Sequence, residues 1–465
     1  LEACANPDPH TRSHALKKLK ERTPAAARKQ LLLALGDPYR WVRLHAASLI
    51  VSLADESCIE TLSKQVAAEK DEAIRLYLED ALAKAEGKPM PKARPAARSV
   101  KSRKGLVWGF GTGLDSEDSP FDAYYCLRVT PSESWKKAYQ KGKIFFGRVE
   151  NVGNPGTIAV DPKWRDQFWL MLNSDLNEEN LPYLDGVVFG EETMSTKPSA
   201  LWAAGWRLFC IEAGIDPARV KGVQKNLSLP ESRAWSRWAY GRIVDGFNIL
   251  YDYFHLKYGK LKPGLQVATF LPEQGGPNPA DKRWKFDVGG LYDYKGCNRI
   301  AGYDCVRRYK TIWPERPIIW LSLGIGGYEM NPVKRTQNVP QTIMTTRGAR
   351  AYADTVSAWV AGADAGWFST WIFVEKNFRG GMWQLHGVEV GVEDLSPGSP
   401  KLERAISYSF RGAEEDYRLA KNKPTLELNI KDAGNQEEEN PLETEEEKAA
   451  REEIPRKVAE DKERF

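Results

Sequence analysis

Acidic side chains follow two apolar stretches of the sequence, at points where buried strands would end. Glu191 and Glu192 come directly after the run LDGVVFG, and Asp293 comes directly after the run FDVGGLY. Glycoside hydrolysis requires two carboxyl groups across a cleft: one protonates the leaving oxygen, and the other attacks the anomeric carbon or activates water. We therefore take Glu192 as the candidate proton donor, Glu191 as its neighbour and Asp293 as the first choice for the second carboxylate. The alternative for the Glu pair is a set of salt bridges at a barrel rim.

Aromatic and polar side chains near the same predicted strand ends are candidates for substrate binding. An indole ring offers a flat apolar face that suits the C–H face of a sugar, and the sequence is rich in Trp, with 16 residues. Core packing is the alternative role for these rings. An arginine can hold a hydroxyl-rich or charged group by two hydrogen bonds, although an ion pair within the protein is the alternative for Arg148. The predicted binding residues are Trp371, Tyr292, Trp108, Arg148, Ser322, Glu329 and Glu375.

Strand-like and helix-like stretches alternate from residue 105 to about residue 420, which predicts a parallel sheet. The predicted strands are 106–111, 143–149, 185–190, 265–271, 287–292, 317–323 and 366–373. The predicted helices are 162–176, 200–213, 231–258, 303–312, 347–361 and 402–420. An eighth strand is expected within an insertion, and barrel closure fits the length better than an open doubly wound sheet. We therefore predict an α/β fold, a (β/α)8 TIM-type barrel over 105–424, with its active site at the carboxyl ends of the strands.

Residues 1–88 contain only helix-like patterns, and a signature recurs in them about every 30 residues. An Asp-Pro dipeptide begins at Asp8 and again at Asp37, and a weaker third copy starts at Asp71. In each of the two Asp-Pro copies the aspartate would be the N-cap of a helix, with proline in its first turn. The pattern resembles HEAT-like repeats of the short bacterial type. This resemblance implies an all-α module that binds a protein partner rather than one that carries a catalytic site.

The remaining segments have the composition of linkers and tails. Residues 89–104 are basic and contain proline, which predicts a solvated linker. Residues 425–465 are rich in Glu, Lys and Arg, which predicts a disordered or loosely helical tail. The sequence begins at Leu1 rather than Met. We expect a secreted or periplasmic protein whose leader is not visible, and a cytoplasmic location stays open.

Composition excludes several classes of function. The net charge of +4, from 67 basic and 63 acidic residues, is too even to favour nucleic acid as a partner. No apolar run reaches the roughly 18 residues of a transmembrane helix. The 5 histidines form no ligand motif, so neither a metal nor an organic cofactor is expected. The cysteines lack CxxC spacing, and Cys297 and Cys305 are either a loop disulfide or free thiols.

The order of the sequence blocks from residue 184 to residue 373 resembles the clan of retaining (β/α)8 glycosidases that includes the family 42 β-galactosidases. The blocks are LDGVVFGEE, FDVGGLYDY, WPERPIIWLSLG and YADTVSAWVAGADAGWFSTWIF. The resemblance implies that Glu192 is the acid/base residue, with Glu191 in place of the usual asparagine. It also implies that Trp371 lies beneath the sugar and that Asp293 matches the acidic residue after its strand.

The sequence departs from this clan at one position. Ser322 stands where the clan carries its nucleophilic glutamate, and a serine needs an activating base to act as a nucleophile. The first interpretation is an O-glycoside hydrolase of an oligo- or polysaccharide in which Asp293, Glu329 or Glu375 serves as nucleophile or base. Such an enzyme would invert if water must fit between the carboxyl groups. The second is a non-catalytic carbohydrate-binding or scaffold protein, and the third is other chemistry in the same barrel.

Overall fold

The computed structural model describes residues 2–92, 94–100, 106–110, 122–126, 128–150, 152–189, 198–216, 229–270, 282–292, 301–322, 363, 365–369, 383–385 and 388–390. The chain divides into two compact units, Leu1–Tyr417 and Arg418–Phe465, and all described residues belong to the first. The predicted helices 347–361 and 402–420, the predicted tail and Cys297 lie outside the described residues.

Eight parallel strands form a closed barrel. They are β1 (Leu106–Phe110), β2 (Ala123–Cys126), β3 (Ile144–Arg148), β4 (Gly186–Phe189), β5 (Gln266–Phe270), β6 (Val288–Tyr292), β7 (Ile318–Ser322) and β8 (Ala365–Ser369). Each strand pairs with the next, and β8 returns to β1 with Ala365 opposite Leu106. All seven predicted strands are present, and the eighth is β2. A separate antiparallel pair, β9 (Trp383–Leu385) and β10 (Val388–Val390), was not predicted.

Helices fill several of the connections between these strands. They are α6 (Glu133–Gln140) after β2, α7 (Pro155–Val160) and α8 (Pro162–Asp175) after β3, α9 (Trp202–Ala213) and α10 (Leu229–Leu261) after β4, and α11 (Ala301–Ile312) after β6. Local capping explains where they begin: Ser132 accepts a hydrogen bond from the Trp135 amide at 3.1 Å, and Asp161 caps α8 ahead of Pro162. Among the described helices, none combines the length and hydropathy needed to cross a membrane.

Alternate residues of each strand face the helices and the barrel interior. Phe145 stacks on Trp135 of α6, with ring centroids 4.9 Å apart, so it faces the helical layer. Phe146 faces the other way, and a Cβ built on Gly186 would lie 2.2 Å from its ring. Because partners in a parallel sheet share a face, the register extends this interior set around the barrel. Its buried members are Ala123, Tyr125, Ile144, Phe146, Val188, Ala268, Val288 and Ile319.

Five helices precede the barrel: α1 (Pro9–Arg22), α2 (Pro24–Ala34), α3 (Arg40–Ile50), α4 (Ile59–Ala68) and α5 (Glu72–Ala85). Asp8 is the N-cap of α1, as predicted, and Asp71 of the weaker third copy is the N-cap of α5. The prediction for Asp37 is wrong, because the N-cap residue of α3 is Tyr39. The Asp37 carboxylate instead accepts from the Tyr39 amide at 2.8 Å, and from Nε and Nη2 of Arg12.

The helical module packs directly on α8 and α10 of the barrel. Trp169 of α8 stacks on Tyr253 of α10 at 4.0 Å, and Trp41 of α3 lies 5.1 Å from the same tyrosine ring. Tyr77 of α5 donates a hydrogen bond to the Leu256 carbonyl at 3.0 Å. One continuous cluster of buried apolar residues therefore includes members of both parts.

The interpretation of residues 89–104 as a solvated linker is wrong at residues 97 and 98, which bind the barrel. The Ala97 amide donates to the Pro263 carbonyl at 2.7 Å, and the Arg98 amide donates to Asp185 at 2.8 Å. The Arg98 guanidinium also donates to the carbonyls of Lys143 and Tyr139, at 2.6 and 2.8 Å. These acceptors lie far away in sequence, so the basic composition carried no sign of them.

Candidate functional site

The carboxyl ends of the strands define one mouth of the barrel, and polar residues there are the candidates for chemistry. Arg148 is the last residue of β3. Its Nε lies 2.7 Å and a terminal nitrogen 2.6 Å from the same oxygen of Glu150, and its side chain is 15% exposed. The ion-pair interpretation of Arg148 is thereby confirmed. Glu150, which the sequence did not single out as a partner, is the nearest described carboxylate at this part of the rim.

Three further predicted residues lie on strands, where their register is defined. Trp108 pairs with Ala123 and with Trp367, so it shares the interior set of positions. Tyr292 lies four positions after Val288 on β6 and has the same parity. Ser322 is the last residue of β7, three positions after Ile319, and therefore has the opposite parity. The register thus groups Trp108 and Tyr292 with Arg148 and separates them from Ser322.

The remaining predicted site residues lie outside the described part of the chain. They are Glu191, Glu192, Asp293, Trp371, Glu329 and Glu375. The strands that lead to the first three are nevertheless described. β4 ends at Phe189 and β6 ends at Tyr292, both at the carboxyl mouth. Their roles therefore remain predictions.

Two aspartates, Asp185 (buried) and Asp287 (partly buried), lie at the opposite, amino end of the strands, and their roles are structural. Asp185 precedes β4, is 0% exposed and accepts from the amides of Arg98 and Phe145, at 2.8 and 3.1 Å. Burial raises the pKa of Asp185. Sequence analysis placed this carboxylate within a strand but could not predict its acceptor role, because Arg98 lies 87 positions earlier.

Asp287 plays a comparable part ahead of β6. It accepts from Tyr251 Oη at 2.8 Å and from the Val267 amide at 2.7 Å, and it lies 2.8 Å from His255 Nε2. Burial alone would raise the pKa of the Asp287 carboxyl, but the contact with His255 and the hydrogen bonds from the Val267 amide and Tyr251 together lower it. These contacts join α10 to the sheet.

A cluster of tryptophans joins α9 to the first part of α10. Trp202 stacks on Trp206 at 4.1 Å, and Trp235 stacks on Trp238 at 5.3 Å. For these four rings, the core-packing alternative therefore holds at least in part. The rings of Trp202, Trp206 and Trp238 stay half-buried, and only that of Trp235 is fully buried.

Residues of the described ranges give no sign of a metal centre, since no three His, Cys, Asp or Glu side chains among them are grouped to hold an ion. The described cysteines 4, 58, 126 and 210 are free thiols.

The architecture defines an α/β protein with a parallel barrel and an N-terminal helical module. No family model matches the chain, and a comparison with curated proteins finds no match. Among solved structures, the agarase AgWH50C is similar at 12% identity and a TM-score of 0.37, over 64% of this chain and 47% of that one. Gan42B, a GH42 β-galactosidase from G. stearothermophilus studied as a catalytic mutant, is similar at 11% identity and a TM-score of 0.38, over 70% and 58%.

A Bacteroidetes-affiliated GH5 cellulase is similar at 9% identity and a TM-score of 0.37, over 70% of this chain and 98% of that one. The carboxyl transferase domain of Rhizobium etli pyruvate carboxylase is also similar, at 8% identity and a TM-score of 0.27. This chain spans about half the length of the agarase and of the β-galactosidase. The activity and substrate of this chain are therefore argued from its own residues.

Proposed function

We propose that this protein hydrolyses O-glycosidic bonds of an oligo- or polysaccharide at the carboxyl mouth of its barrel. Glu192 is the general acid/base in this proposal, and a second carboxylate, Asp293 first, is the nucleophile or base. The observation that carries the proposal is the course of β4 and β6. Both strands run in parallel within one closed barrel, so the acidic segments that follow Phe189 and Tyr292 leave from the same rim.

The register sets the distance between the two strands that carry the proposed acids. Phe189 pairs with Thr269 of β5, and Thr269 pairs with Gly289 of β6, so one strand separates the two acidic segments. Adjacent strands lie about 4.8 Å apart, which sets a separation of about 10 Å between the backbones of β4 and β6. The side chains of the two acids extend into this gap, so the separation of their carboxyl groups decides the outcome: roughly 6.5–9.5 Å for inversion and roughly 5–5.5 Å for retention. Ser322 at the end of β7 agrees with a mechanism that needs no glutamate there.

Strand parity supports Glu192 over Glu191 as the proton donor. Position 192 has the parity of Gly186 and Val188, the interior set of β4. Position 191 has the parity of Phe189, whose ring lies 6.1 Å from Phe247 of α10 in the helical layer. A continuation of the strand pattern would therefore bring only the second glutamate over the mouth.

For Asp293, the strand parity places a condition on the path of the chain after β6. Position 293 has the parity opposite to Tyr292, so the chain must turn after β6 for Asp293 to oppose Glu192. Glu329 and Glu375 are the other partners in the proposal. Substitution of each acid by its amide, Asp293→Asn, Glu329→Gln and Glu375→Gln, identifies the second carboxylate by the largest loss of turnover.

A non-catalytic carbohydrate-binding or scaffold protein is the second candidate. Ser322 favours it, because the resemblance places a nucleophilic glutamate at this strand end. We further propose a complete (β/α)8 barrel and a HEAT-like classification of the helical module, through which a protein partner binds. A secreted or periplasmic location belongs to the same proposal.

A screen of the full chain against polysaccharides and aryl glycosides tests the function. We expect hydrolysis of at least one substrate by the wild type, its loss in Glu192→Gln, and unchanged affinity for the sugar in that variant. Glu191→Gln is the matched control and should keep most of its turnover. Undiminished hydrolysis by Glu192→Gln would remove this residue from the mechanism. Sugar binding without any hydrolysis by the wild type would favour the second candidate.

A further inference from the structure

A cleft of 1260 Å³ lies where α5, the segment 94–98, the end of α8 and the end of α10 meet. It lies beside the helical module, and its lining includes Leu261, the last residue of α10, and Lys262, which leads toward the amino end of β5. Seven basic and four acidic side chains line it, so its charge is net positive. No candidate for the proposed hydrolysis is among them, so this cleft is a separate feature of the molecule.

An arginine recurs at the same helix position in the helical module, and in two of the repeats it binds a carboxylate. The fourth residue of α1 is Arg12 and the fourth residue of α3 is Arg43. Arg12 donates to both carboxylate oxygens of Asp37, at 2.8 and 2.9 Å. Arg43 donates to both oxygens of Glu69, at 2.9 and 3.5 Å. Each acceptor lies three residues before the first residue of the next arginine-bearing helix.

Both arginines also bind the chain that precedes their own helix. Arg12 donates to the carbonyls of Asn6 and Pro7, at 2.8 and 3.0 Å. Arg43 donates to the carbonyls of Asp37 and Pro38, at 3.1 and 3.3 Å. The repeat therefore uses one arginine to hold its own turn and an acidic side chain of the next turn.

Arg75 is the third arginine of this series. It is the fourth residue of α5, and it lines the cleft. Among the described residues after α5, none binds Arg75 as Asp37 and Glu69 bind their arginines. Arg75 instead lies 3.7 Å from Glu79 of its own helix, and its side chain is 42% exposed. The arginine at this position binds the side-chain carboxylate of Asp37 or Glu69 in two repeats. In the third repeat the guanidinium of Arg75 is partly exposed to solvent.

The other cations of the cleft are bound within the protein. Lys257 Nζ donates to Asn173 at 2.7 Å and lies 3.6 Å from Asp71, which also pairs with Arg40. Lys262 Nζ donates to Tyr139 Oη and the Pro182 carbonyl, at 2.9 and 2.8 Å. Arg40 and Arg94 pair with Asp71 and Glu72, and Arg98 donates to two backbone carbonyls. Among the described lining residues, this leaves Arg75 and exposed Lys70 as the cations without a hydrogen-bonded partner.

We propose that Arg75, with Lys70, binds an acidic peptide segment of a partner protein in this cleft. The repeat itself supplies the precedent, since the same arginine position twice holds an Asp or Glu side chain of a helix-preceding turn. Charge complementarity points the same way, and the cleft volume accommodates several residues. A carboxylate within a turn or extended segment would receive both arms of the Arg75 fork, as Asp37 does from Arg12.

Fluorescence anisotropy with the full chain tests this proposal at low ionic strength. The probe is a labelled peptide of alternating Glu and Ser, and its matched control carries Gln in place of Glu. We expect the Glu peptide to bind and the Gln peptide not to bind. Arg75→Gln should weaken the affinity by about threefold to tenfold, because the contact is partly exposed. Lys70→Gln should weaken it less.

Lys64→Gln is the control variant, because Lys64 is an exposed lysine of α4 that pairs with Glu60 outside the cleft. It should bind the Glu peptide as the wild type does, and matched thermal unfolding of all variants shows that they fold. Equal affinity of Arg75→Gln and wild type would overturn the proposal, as would no binding of the Glu peptide. Binding of oligogalacturonate in place of the peptide would overturn it in favour of an acidic carbohydrate. None of these outcomes depends on glycoside hydrolysis.

Discussion

Substitution of Asn173 by alanine tests the contact between the helical module and the barrel. Asn173 Oδ1 accepts from Tyr253 Oη at 3.1 Å, Lys257 Nζ at 2.7 Å and Tyr258 Oη at 2.6 Å. All three donors are on α10 and are buried, and Lys257 links the network to Asp71 of α5. Loss of the oxygen leaves three buried donors without this acceptor.

Each buried donor without an acceptor costs about 1–3 kcal/mol. Because Lys257 keeps Asp71 nearby, we expect Asn173→Ala to lower the free energy of unfolding by about 3–5 kcal/mol in total. Urea unfolding followed by tryptophan fluorescence measures this loss. Asn177→Ala is the matched control, since Asn177 accepts only from the amides of Glu179 and Asn180 in the same turn. Its loss should stay below about 1 kcal/mol, and equal losses in both variants would refute the reasoning.

Two further predictions concern stability. Burial lowers the pKa of His10 to about 3 and of His45 to about 4. As the pH falls, these two histidines therefore bind protons in the unfolded chain before they do so in the folded protein. The free energy of unfolding should therefore drop by about 3 kcal/mol for each of the two histidines between pH 6.5 and pH 4, and by less in a His10→Gln/His45→Gln variant. Equal slopes in urea titrations of the two proteins would contradict this. Gly246→Ala should destabilise strongly, since its Cβ would lie 1.8 Å from the Pro155 carbonyl oxygen, whereas Gly241→Ala meets nothing within 4 Å and should unfold at or above the wild-type temperature.

The strands were predictable because a strand buried on both faces of a parallel barrel reads as a continuous apolar run. That pattern located seven of them. It missed β2 (Ala123–Cys126), which with four residues is as long as the correctly predicted β4, because no helix-like stretch precedes it to mark a connection. β9 and β10 are shorter still, with three residues each.

Errors arose where a distant partner overrides the local pattern. Asp8 and Asp37 share the Asp-Pro signature, but Arg12 binds the Asp37 carboxylate as a fork, and α3 begins later than the signature predicts. Arg98 looked like part of a solvated linker, yet its amide and guanidinium bind groups near the amino ends of β3 and β4. Neither partner can be inferred from local composition.

For the candidate site, the sequence predicted which strand ends carry polar groups, and the register adds which of them share the interior parity. Trp108, Tyr292 and Arg148 belong to the interior set, and Ser322 does not. Such parity depends on how eight strands pair around the barrel, so it could not be read from any single stretch. Glu150, the partner of Arg148, escaped prediction because an ion pair two residues apart has no distinctive sequence signal.

The dependence of the Glu192→Gln rate on the leaving group tests the role of Glu192 most directly. A proton donor matters when the leaving oxygen is a poor leaving group, and general acid catalysis contributes about 10²–10⁴-fold. We expect the hydrolysis rate of the variant to fall by about that factor on a sugar–sugar bond. On a dinitrophenyl glycoside it should fall by only a small factor, because dinitrophenolate departs without protonation. Equal losses on both substrates, or no loss on the sugar–sugar bond, would contradict the assignment of Glu192 as the proton donor.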